Sequence, residues 1–70
     1  MDVWKEDDIR EILKAVEKAE EPLETKEVQK LLPKVSRAKI LYRLNHLRAD
    51  SLVRGKQVGA GKGTWIWWKK

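Results

Sequence analysis

Few side chains of this 70-residue chain are able to perform covalent chemistry. His46 is the only histidine and cysteine is absent, so neither a Ser/His/acid nor a Cys/His catalytic set can be assembled. A single histidine does not build a zinc centre without carboxylate ligands. The glycine-rich segment 59–63 lacks the spacing of a phosphate-binding loop, and no helical pattern follows it. We therefore expect no enzyme, no metal and no cofactor.

The side chains suited to recognition are unevenly distributed along the chain. Residues 1–32 hold ten of the eleven acids against six bases, whereas residues 33–70 hold ten bases against Asp50 alone. Because crowded like charges repel each other, the second half is expected to face a polyanion. This half also holds Asn45, which can pair with an adenine edge, and arginines, which can pair with guanine.

Length and composition indicate one domain over residues 1–70. The chain has no run of about 18 apolar residues, and its first residues lack the apolar segment of a signal peptide. The absence of cysteine fits a reducing compartment. We therefore expect a cytoplasmic protein with no membrane partner, and no small-molecule ligand is evident.

Three helices are predicted at about residues 7–20, 25–32 and 36–50. In the first, Ile9, Ile12, Leu13 and Val16 form one apolar stripe, and Asp7 or Asp8 is a candidate cap. Thr25 is the candidate cap of the second helix, whose core face is Val28, Leu31 and Leu32. Ser36 is the candidate cap of the third, with Ile40, Leu44 and Leu47 facing the core and Leu41 at the edge of that stripe.

Two strands are predicted at about residues 52–58 and 64–69, because both segments are rich in β-branched and aromatic residues. The glycines between them indicate a flexible turn and hence a hairpin. Segment 22–24 is too short for more than a bridge or an extended corner. The predicted fold class is α+β, a helix-turn-helix followed by a two-stranded wing.

From Ser36 to Val53 the sequence resembles the recognition helix of winged-helix DNA-binding domains of small transcriptional regulators, and the resemblance covers about residues 7–69. It implies that the third helix lies in the major groove of double-stranded DNA and that the wing follows the phosphate backbone. The family usually has glycine just before the leucine that begins the wing, where this chain has Ser51. The implied DNA-binding residues are Ser36, Arg37, Lys39, Tyr42, Arg43, Asn45, His46, Arg54, Lys56 and Lys62.

Other interpretations stay open. Lys39, Arg43 and Arg48 also suit a plain solvated helix face, and Thr25 or Ser36 are most simply caps. A winged helix can also dock proteins. The segment 39–44 with a tryptophan-containing last strand is similar to Z-DNA-binding winged helices, although Ala38 stands where those domains have asparagine. Only the tyrosine and tryptophan of that pattern transfer, to Tyr42 and to Trp65 or Trp67.

The tryptophans leave a further choice. In the last strand Trp65 and Trp67 point to one side, and Ile66 and Trp68 to the other. One pair must pack against the helices, and the sequence does not say which. Trp4 is expected to fold onto the core or pair with a neighbour. An exposed aromatic pair, or the first helix, would allow a homodimer.

Overall fold

The computed structural model describes residues 7–59 and 64–70. Its elements are α1 (Asp7–Lys18), β1 (Leu23–Glu24), α2 (Thr25–Leu31), α3 (Arg37–Ala49), β2 (Val53–Val58) and β3 (Thr64–Lys69). They form a small α+β domain with three helices and an antiparallel sheet, compatible with a winged-helix-like topology. The predictions for Trp4 and Lys62 fall outside the described residues.

The sheet has three strands in the order β1-β3-β2, one more than the predicted two-stranded wing. The third strand is the short segment before α2: Leu23 pairs with Trp67, and Glu24 with Ile66. On the other side of β3, Gly55 pairs with Trp67 and Lys56 with Ile66. Gly59, at a φ of 89°, begins the connection out of β2, as its freedom at positive φ allows.

The core lies between the helices and one face of the sheet. The apolar stripes predicted for α1 and α3 are confirmed, with Leu13 and Leu41 packed at their edges. Leu31 is 58 % exposed, so its predicted place beside Val28 is wrong. Helix α2 ends at Leu31, and the chain turns there through Leu32, which packs against the core instead. The core residues are Ile9, Ile12, Val16, Val28, Ile40, Leu44, Leu47, Val53 and Trp67.

Ser36 is the N-cap of α3, as predicted, and its Oγ accepts a hydrogen bond from the Lys39 N–H at 3.2 Å. The predicted cap role of Thr25 is wrong, because Glu24 occupies the N-cap position of α2 and donates its N–H to Glu27 Oε1 at 2.7 Å. Thr25 is buried, and its Oγ1 accepts a hydrogen bond from the Trp67 indole N–H at 2.9 Å. The Thr25 hydroxyl, which was predicted to cap α2, therefore accepts a hydrogen bond from a tryptophan 42 residues away instead.

The corner between α3 and β2 has the hydrogen bonds of a Schellman motif. The Ser51 N–H donates to the Arg48 carbonyl at 3.0 Å, and the Leu52 N–H to the Leu47 carbonyl at 2.9 Å. Ser51 has a φ of 62°, the left-handed conformation that usually favours glycine at this position. Two residues later Val53 enters the core, so this corner determines which residues of β2 face inward.

Candidate nucleic-acid interface

The outward side of α3 carries bases and no acid. None of the 13 residues of α3 is acidic, whereas Arg37, Lys39 and Arg48 are exposed along it. Tyr42 is 55 % exposed in the middle of the same helix. Because Ile40, Leu44 and Leu47 hold the opposite side in the core, this face is fixed in direction. The exposed surface of α3 therefore carries three basic side chains, of which Lys39 is paired with Asp8, and one exposed aromatic ring.

Tyr42 and His46 form a ring pair one helical turn apart. Their centroids are 4.3 Å apart with an interplanar angle of 47°, and His46 is half-buried. The contact restricts the tyrosine ring while leaving more than half of Tyr42 exposed. A ring held in this way can stack on a base or contact a thymine methyl at a low cost in side-chain entropy.

Asn45 is half-buried, and its Nδ2 donates a hydrogen bond to the Leu41 carbonyl at 3.0 Å. Bidentate pairing with adenine requires both the amide donor and the amide oxygen at the base edge. The donor of Asn45 is used within the helix, so direct base pairing would first break this bond. Asn45 is therefore less suited to hydrogen bonding with a base edge than its residue type suggested.

The predicted exposure of Arg43 is wrong, because this side chain is only 4 % exposed. Its Nε lies 3.7 Å from Asp8 Oδ1, and its Cζ lies 5.6 Å from the Tyr42 ring centroid. Asp8 also lies 3.3 Å from the Lys39 ammonium. A buried guanidinium paired across two helices cannot reach a groove, so we assign Arg43 to the α1–α3 contact.

Arg54 and Lys56 of β2 project from the sheet face that points away from the core. Arg54 pairs with Trp68 and Lys56 with Ile66, and all four alternate with the inward residues. Arg54 also lines a depression of about 310 Å³ together with Arg48 and Lys70. Three basic side chains, from the end of α3, the start of β2 and the residue after β3, therefore lie around this depression.

The choice between the two tryptophan pairs is settled by burial. Trp67 is 0 % exposed, and Trp65 packs partly against the core with its ring stacked 5.3 Å from that of Trp67. Arg48 lies over the Trp65 ring of this stack, with its Cζ 5.2 Å from the ring centroid. Ile66 and Trp68 therefore form the half-buried outer pair.

Two contributors were missed at the sequence level. Asp8 was a candidate cap, but it lies inside α1 and binds two bases of α3. No spacing rule relates a residue of one helix to positions 31 and 35 residues away, so the sequence carried no signal for this contact. Lys70 was visible only as one base among ten in its half of the chain.

Comparison with protein-family models, with curated proteins and with solved structures finds no match to the chain. Within residues 7–59 and 64–70, no group of three or more histidines and acids is placed to hold a metal ion. Over the same residues, no helix has the length and apolar character needed to cross a membrane.

Proposed function

We propose that this protein binds double-stranded DNA as a small winged-helix regulator, with α3 in the major groove. The observation that supports the proposal is the exposed surface of α3, which includes Arg37, Lys39 and Tyr42 and contains no acidic residue of the helix itself. Acids would repel the phosphates that border a groove, and their absence along a whole helix favours a polyanion there.

The proposed contacts divide into two groups. Arg37 and Tyr42, near the start and middle of α3, are the proposed base readers, with His46 supporting the tyrosine ring. Arg48, Arg54 and Lys70, around the depression at the end of α3, are the proposed phosphate contacts. Lys62 is also a proposed phosphate contact, because in sequence it lies between the two predicted strands of the wing.

Binding to a fluorescein-labelled duplex, measured by anisotropy across a range of salt concentrations, tests the proposal. If the protein neutralises several phosphates, the logarithm of the affinity should fall with the logarithm of salt by about 0.9 per phosphate contact. Absence of duplex binding at low salt would contradict the proposal. Selection of bound sequences from a random duplex pool would then define the preferred site.

Matched variants separate readers from phosphate contacts. Tyr42→Ala should flatten the preference among duplex sequences, and Arg54→Ala should weaken all duplexes alike and reduce the salt slope by about one contact. The control is Lys14→Ala, which removes an exposed base from α1. If the control weakens binding as much as Arg54→Ala, net charge rather than the proposed surface determines affinity.

The two alternatives have distinct outcomes. A Z-form binder would invert the circular dichroism of an alternating CG duplex, an effect dependent on Tyr42. A protein-docking module would show no duplex affinity at any salt concentration and would retain a protein partner. Cytoplasmic location stays a prediction from composition.

A further inference from the structure

The outer face of the sheet separates its charges by strand. One row across the three strands contains Glu24 on β1, Ile66 on β3 and Lys56 on β2. Pro22 and Trp68 line one groove, and the partner of Trp68 on β2 is Arg54. Acid therefore lies on the β1 side, apolar side chains lie on the central strand, and bases lie on the β2 side.

A groove of about 500 Å³ runs over this face between the α1–β1 connection and β2. Ile66, Trp68 and Pro22 form its apolar part, with exposed Glu20 and Glu21 on one side and exposed Lys56 on the other. The core lies against the opposite face of the sheet, which contains Trp67. The groove is thus an apolar strip between two borders of opposite charge.

We infer that this outer face binds a second copy of the same chain. A nucleic acid would place phosphates against Glu20 and Glu21, and a purely apolar partner would leave both charged borders without counter-charges. A second copy carries the complementary borders in the required arrangement. The inference does not rest on the proposed DNA binding, because it is argued from the charges of the sheet face, although Arg54 and Lys70 lie at the edge of both surfaces.

The charge pattern selects one symmetry. In a face-to-face dimer with its two-fold axis parallel to β3, the acidic border of each copy lies opposite the basic border of the other. An axis perpendicular to β3 in the sheet plane would place acid against acid. The parallel axis also brings the two copies of Trp68 and of Ile66 together, across the spacing of about 10 Å usual for packed sheets.

Lys69 and Lys70 also line the groove, at the end of the central strand. Glu20 and Glu21 line the same groove as these two lysines. These neighbours offset the charges that would otherwise meet near the axis. The two-fold arrangement therefore requires no unbalanced charge at its centre.

Complementary charge reversal tests the inference, with sedimentation velocity of the full chain as the measurement and no nucleic acid present. Wild type should form a reversible dimer at high micromolar concentration. Glu21→Lys alone and Lys56→Glu alone should each weaken dimerisation by about tenfold or more, because each reverses a charge in one border and does so twice in a symmetric dimer. An equimolar mixture of the two variants should dimerise again, since their borders are complementary. Glu21 is chosen because Glu24 also closes the first turn of α2.

The matched control is Glu17→Lys, which makes the same charge change on an exposed position of α1. It should dimerise like wild type. Trp68→Thr should abolish dimerisation while the far-ultraviolet circular dichroism stays unchanged, which separates loss of the interface from loss of fold. A monomeric wild type, a mixture that stays monomeric, or a control as weak as Glu21→Lys would each overturn the inference. A monomer whose Trp68-dependent emission is quenched by a single-stranded oligonucleotide would overturn it in favour of a nucleic acid.

Discussion

Two neighbouring rows of residues, each running across the three strands of the sheet, face opposite sides. Leu23, Trp67 and Gly55 lie side by side facing the helices, and the next row, Glu24, Ile66 and Lys56, faces away from them. The inward row has its central tryptophan completely buried, whereas the outward row is graded from acid to base. Moving by one residue along each of the three strands thus leads from a tightly packed core row to an outward row with charged side chains at its two edges.

The strongest test of this difference is Gly55→Ala. A Cβ at Gly55 would overlap the six-membered ring of Trp67, which is buried and cannot move without displacing the core. We expect the free energy of unfolding to fall by about 3 kcal/mol, the upper part of the usual range for overpacking. Urea unfolding followed by tryptophan fluorescence measures this loss. A change below about 1 kcal/mol would mean that the inward row is not tightly packed.

The polar contact of the inward row is tested by Thr25→Val. Valine has nearly the shape of threonine but leaves the buried Trp67 N–H without its acceptor, now at 2.9 Å. The free energy of unfolding should fall by about 2 kcal/mol, the usual cost of a buried unsatisfied donor. Thr25→Ser, which keeps the hydroxyl, is the control and should lose less. An equal loss in both variants would attribute the effect to packing.

The corner at Ser51 fixes which row faces inward, and Ser51→Gly should strengthen it. Serine at a φ of 62° is strained, whereas glycine adopts this conformation freely. Because glycine also gains freedom in the unfolded chain, the net stabilisation should be about 0.5–1 kcal/mol. Thermal unfolding of Ser51→Gly beside Ser51→Ala measures it. If alanine stabilises as much as glycine, backbone strain at this corner is not the cause.

The sequence predicted the elements better than their contacts. The cap at Ser36 and the stripe Ile40, Leu44 and Leu47 were predictable because they depend on residues within one or two helical turns. The acceptor for Trp67 was not, because Thr25 lies 42 residues away and a local cap role competed for its hydroxyl. The position of Arg43 was predicted wrongly for a similar reason, because its partner Asp8 lies 35 residues away on another helix.

The strand β1 could not be predicted from the local sequence alone. Segment 22–24 was predicted to form at most a bridge or an extended corner, and Leu23 and Glu24 become a strand because β3 offers hydrogen-bonding groups beside them. The buried tryptophan pair likewise could not be chosen from alternation, since both faces of β3 carry large apolar side chains. For the candidate interface, exposure of Tyr42 followed from helical periodicity, but its contact with His46 and the ion pairs of Asp8 required the fold.

The smallest expected effect is that of Lys56→Thr, one residue along β2 from Gly55. Lys56 is exposed on the outward row, and threonine suits a strand, so the free energy of unfolding should change by less than about 0.5 kcal/mol. The measurement is urea unfolding at a protein concentration too low for self-association, with Gly55→Ala in parallel. A loss approaching that of Gly55→Ala would mean that the outward row is part of the monomer core. Similar effects at two adjacent residues would remove the distinction between the rows, because that distinction depends on alternate side chains facing opposite sides of one strand.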